Sequence, residues 1–132
     1  MKAYKICMVR KRRFLFFFQR RVYESPWVGK DLTVRYRMHR WATAPAGGLL
    51  CFGTFEEAYQ WSRPFRNTVI FEVKAEEQVP LPAVRLIYPE DLDGVRSLWD
   101  GSLEPIAWER WPEGTLAFRR VKPIREVRHE GL

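Results

Sequence analysis

Seven arginines, Arg12, Arg13, Arg20, Arg21, Arg35, Arg37 and Arg40, stand close along the chain with Tyr23, His39 and Trp41 among them. Guanidinium groups grip phosphate oxygens, and aromatic rings offer faces on which unpaired bases stack. This mixture is therefore what single-stranded nucleic acid needs, provided the fold gathers it on one face. The same charges also serve as a solvated exterior for an aromatic-rich chain, or as partners for acidic residues elsewhere. The stretch from Lys11 to Phe18 lacks the glycine that an RRM-type strand motif requires.

A second constellation has the opposite sign. From Glu76 to Glu113 nine acidic residues, Asp91 and Asp93 among them, meet only Arg85, Arg96 and Arg110 and accompany Trp99, Trp108 and Trp111. Tryptophan is enriched in interface hot spots, so such a segment suits docking on a basic protein surface; equally, the indoles can cap the ends of a core. The two poles show in the charge balance. The first 41 residues carry 12 Lys/Arg against 2 Asp/Glu and the other 91 carry 11 against 14, which together give the net +7. Such asymmetry steers partners and is silent on chemistry.

Catalytic material is thin. His39 and His129 are the two histidines, and neither has a serine or cysteine nucleophile at a recognisable spacing. Glu90, Asp91 and Asp93 have the chemistry to surround Mg²⁺, but a helix N-terminus attracts acidic residues without any metal. Gly47-Gly48 lacks the Lys-Ser/Thr of a phosphate-binding loop. The expectation is a non-enzymatic binding protein with no cofactor and no metal.

At 132 residues, 46% of them hydrophobic, the chain fits a single globular domain. Cys7 and Cys51 have no metal-type spacing and lie in apolar stretches, which predicts buried free thiols in a reducing cytoplasm. The Phe14–Phe18 run is too short and too basic at its flanks for a signal peptide, and nothing approaches a spanning segment. A soluble cytoplasmic protein, monomeric when free, is expected. Arg outnumbers Lys 17 to 6, asparagine occurs once and proline nine times, a bias reported for heat-adapted proteins.

The elements that must position these groups are mostly strands. Leu32, Val34, Tyr36 and Met38 alternate with Thr33, Arg35 and Arg37, which predicts a half-buried strand with a basic outer face. Before it, strands are expected at Tyr4–Val9 and Phe14–Tyr23, with Arg10–Arg13 as a charged turn between them. Trp41–Gly48 reads as a loop and Leu49–Phe52 as a short strand. Thr54-Phe55-Glu56-Glu57 matches a capping box, so a helix over 55–63 is predicted, with Phe55, Ala58, Tyr59 and Ser62 on one face and Pro64 as its stop. Strands follow at Thr68–Lys74 and Val84–Tyr88. A second short helix from Pro89 ends at Asp100-Gly101, segment 102–114 is loop, and Leu116–Val121 closes with a strand. The charged tail after Pro123 is expected to fray. The class is α+β, a mainly antiparallel sheet with one or two short helices packed on it.

Gly47 to Glu76, read as loop, strand, capped helix and strand, resembles the middle of ADP-ribosyltransferase-type folds. That likeness implies a nicotinamide-type nucleotide pocket, with Phe52 where such enzymes often have Tyr or Ser, and Glu72 or Glu76 at uncertain offsets for the catalytic glutamate. In size, heat-adapted composition and basic character the whole chain is similar to the RNA polymerase-binding transcription inhibitors of bacteriophages of thermophilic bacteria. This second resemblance implies docking on the β flap and on the C-terminal region of the σ factor of bacterial RNA polymerase. It also implies loss of −35-dependent initiation and reduced termination in the host cytoplasm. A nucleic-acid-binding module acting alone is the rival expectation.

Overall fold

The computed structural model describes residues 1–14, 18–24, 34–81 and 111–129. In chain order they form β1 (Lys2–Phe14), β2 (Phe18–Glu24), β3 (Arg35–Tyr36), β4 (Ala42–Thr43), β5 (Leu49–Phe52), α1 (Phe55–Ser62), β6 (Thr68–Val79) and β7 (Thr115–Val127). The strands pair antiparallel. The first half of β1 pairs with β6, β6 with β7 and β7 with β5, and β5 returns to β1 through Tyr4 and Phe52. A ring of four strands is thereby closed, giving an α+β fold built as a small barrel, which leaves those strands no open edge.

Alternation along the strands sorts residues between two cores. Inside the barrel lie Ala3 and Cys7 of β1, Leu49 and Cys51 of β5, Phe71, Val73 and Ala75 of β6 and Phe118 and Val121 of β7, closed by Tyr36. On the outside, Ile6, Phe52 and Ile70 pack against Ala58 of α1, flanked by Tyr4, Phe55 and Tyr59. The helix starts where its capping box predicts. Thr54 is extended (φ −129°, ψ 155°), its Oγ1 accepts from the Glu57 amide at 3.2 Å and donates to Glu57 Oε1 at 2.8 Å. The glutamate thus answers the cap's hydroxyl rather than the backbone N–H of the usual box.

Three expectations are corrected. Arg10–Arg13 form no turn. They continue β1, and Met8–Phe14 pair residue by residue with Phe18–Glu24 of β2. Charge is not turn chemistry, and the segment contains no Gly, Pro, Asn or Asp to favour a reversal. The Trp41–Gly48 loop holds the two-residue strand β4 against β7. The tail after Pro123 is not frayed, because β7 runs to Val127, paired with Ile70. Pro123 is tolerated at a bulge: Glu72 pairs with Arg125 but Val73 with Pro123, so β7 carries an extra residue where the missing N–H would otherwise break the ladder. The expected strand at Val84–Tyr88 and helix from Pro89 lie outside the described residues. Among the described residues, no helix is long and apolar enough to cross a membrane.

Candidate functional site

The outward side chains of β6 and β7 form a striped charged face. Register sets Glu72 opposite Arg125, Lys74 opposite Lys122 and Glu76 opposite Arg120. The outer two rows are ion pairs. Glu72 meets Arg125 at 3.2 Å and Lys2 at 3.4 Å, and Glu76 receives both Nε (2.9 Å) and Nη2 of Arg120. The middle row is two lysines side by side, and like charges directly opposite in a sheet are destabilising.

Trp41 lies over this row. Ala42 pairs with Val121, which brings the preceding Trp41 alongside Lys122. Its ring centroid lies 4.5 Å from Arg120 Cζ and 5.1 Å from Lys122 Nζ, yet the residue keeps 36% of its surface exposed. Cations at these distances interact with the electron-rich indole face. The turn before Trp41 is pinned to β7. Arg40 N donates to Arg37 O at 3.1 Å, and His39, in the left-handed region (φ 61°), donates its N–H to Pro123 O at 2.8 Å. Arg35, Arg37, His39 and Arg40 are exposed around this turn, with Tyr36 buried between the first two as the alternation predicts. Among the described residues, no acidic side chain pairs with Arg37, Arg40, Lys74 or Lys122.

Arg12, Arg13, Arg20 and Arg21 lie on the β1–β2 ribbon, whose register sets Arg12 opposite Arg20 and Lys11 opposite Arg21. Since β3 pairs with β2 through Glu24 and Tyr23, the seven arginines belong to one run of neighbouring strands and the turn after it. Tyr23 is removed from the stacking surface, because its ring packs edge-on against Phe71 of the barrel core at 4.9 Å. The sequence reading missed Arg120, Lys122, Lys74 and Glu76. The signal was there: Arg120 and Lys122 alternate with Val121 and Pro123, a pattern obscured by treating Pro123 as a strand end.

Of the acidic aromatic segment, Asp91, Asp93, Trp99 and Trp108 lie outside the described residues, as does Glu90, while Trp111 is half-buried. Its far end does meet α1. Pro112 and Glu113 join Glu56, Glu57, Gln60 and Trp61 around an open groove of about 280 Å³. Elsewhere, His129 stacks on Tyr59 with centroids 4.1 Å apart, and its Nδ1 is buried without a hydrogen-bond partner. Cys7 and Cys51 are free and buried, as predicted, and burial pushes their thiols up to about 12 and about 11 against the opposing pull of Lys5. Among the described residues, no group of three His, Cys, Asp or Glu is placed to hold a metal ion. The two glutamates raised by the transferase likeness, Glu72 and Glu76, both sit in the ion pairs of the β6–β7 face.

Compared with protein-family models, with curated proteins and with solved structures, the chain shows no match.

Proposed function

We propose that this chain is a non-enzymatic regulator that works by docking its cationic, Trp41-bearing face onto an anionic surface of the transcription machinery, bacterial RNA polymerase with the nucleic acid it holds. The observation that carries this reading is the Lys74–Lys122 row beneath an exposed indole, with Arg37 and Arg40 beside it. Such a row opposes folding, and an anionic partner relieves the repulsion on binding. The likeness of the whole chain to phage polymerase inhibitors supplies the identity of the machine, with the β flap and the σ C-terminal region as contacts. Occupying those contacts blocks −35-dependent initiation without any reaction on a substrate. Long-range attraction would set the association rate and fall with salt, while the buried part of the contact sets residence time.

Affinity purification from thermophilic bacterial cells tests this. Polymerase subunits should be recovered with the native chain, less so at high salt, and lost with the double variant Arg37→Glu, Lys122→Glu. Recovery of no polymerase subunit by the native chain would overturn it.

A further inference from the structure

Resting on the reading of this face as the docking surface, we propose that Trp41 is a stacking site for an unpaired base of single-stranded nucleic acid, with Lys122, Lys74 and Arg40 taking the flanking phosphates. Geometry favours a single strand over a bare anionic protein surface. An indole with over a third of its surface exposed adds nothing to the recognition of carboxylates, but it gives any base a π-face. The ring is also held in place before a ligand arrives. Glu76 receives two N–H groups of Arg120, which fixes the guanidinium plane, and that plane lies against Trp41. The pinned turn at His39 and the β4–β7 pairing fix the backbone on either side of the indole. Little freedom is then lost on stacking, which is the condition for a single aromatic residue to contribute strongly.

The site also has a built-in chemical division. The indole recognises the base face, which is hidden inside a duplex stack, and the lysine row recognises phosphate, which every nucleic acid carries. Unpaired strands therefore engage both parts, duplexes and abasic backbones only the second.

Fluorescence anisotropy with three labelled probes separates the parts: a twelve-nucleotide thymidine strand, the same length of abasic phosphodiester backbone, and a twelve-base-pair duplex. The native chain should hold the thymidine strand about tenfold more tightly than the abasic one. Trp41→Ala should bring the thymidine strand down to the abasic level and leave abasic binding unchanged, while Trp41→Phe retains most of the preference. Lys122→Glu should weaken all three probes. Its melting temperature should not fall, because a Lys74–Glu pair replaces two opposed lysines, so loss of binding cannot be charged to unfolding. Equal affinity for the thymidine and abasic strands, no effect of Trp41→Ala, or tightest binding of the duplex would each overturn the stacking site. Failure here with continued capture of polymerase leaves the docking reading standing. Strand binding without capture of polymerase would sink that reading and keep this site.

Discussion

Lys5 donates from Nζ to the carbonyl oxygen of Leu50 at 2.8 Å, from a side chain only 6% exposed inside the barrel wall. The ammonium also lies 5.5 Å from the Tyr36 ring centroid, so a β1 lysine ties the closing strand β5 to the residue that plugs the barrel. Its aliphatic stem fills core space, and its head satisfies a wall carbonyl. Lys5→Ala should lower unfolding free energy by about 2 kcal/mol, read from urea denaturation, through an unfilled volume and an unpaired carbonyl. Lys5→Met refills the volume and should recover more than half of that loss.

The two thiols give a test of barrel closure. Burial raises Cys7 to about 12 and Cys51 to about 11 from an ordinary value of 9.0. A group whose folded value is raised contributes stability that is complete below 9 and is lost as pH climbs toward the folded values, because only the unfolded chain ionises in that window. Stability should therefore decline between about pH 9 and 11, and Cys7→Ser, Cys51→Ser should flatten that part of the decline. At pH 8 neither thiol of the folded chain should react with an alkylating reagent over minutes, and both should react in denaturant.

Thr54 and Gly114 grip the same glutamate from two sides. Thr54 caps α1 through Glu57, and Gly114, at φ +83°, lies so close that a Cβ there would fall on the Glu57 carboxylate. Thr54→Ala should cost about 1 kcal/mol through the lost cap, and Gly114→Ala about 1–2 kcal/mol through backbone strain and displacement of Glu57. Thermal melts of the double variant should show less than the sum, since each change damages the same contact.

Glu72 anchors the acid side of the pH profile. Burial disfavours its charge, but the hydrogen bond and charge of Arg125, joined by Lys2, outweigh that and hold the carboxyl below its ordinary 4.5. A depressed value contributes stability that is present above 4.5 and is lost as pH falls through the folded value. Chemical denaturation at pH 7 and pH 3 should show a smaller acid loss in Glu72→Gln than in the native chain.

Much of the wall was legible locally. The capping box located α1, alternation placed Tyr36 inward between Arg35 and Arg37, and apolar surroundings marked both cysteines as buried. The errors share a cause. Arg10–Arg13 and the segment after Pro123 were treated as breaks because their residues are poor strand formers in isolation. Both are carried in strands by pairing with partners distant in sequence, one of them through a bulge that no local pattern announces.

The candidate site divides in the same way. Residue types alone determined a cationic, aromatic-bearing N-terminal region, since charge and π-faces are properties of side chains and need no fold to exist. Only the tertiary structure decided that Trp41 belongs with Arg120 and Lys122 and that Tyr23 belongs to the core. It also decided that Lys74 stands opposite Lys122. Those relations are set by strand register and barrel closure, which join residues some eighty positions apart, and a one-residue shift in register would have turned each of them to the other face.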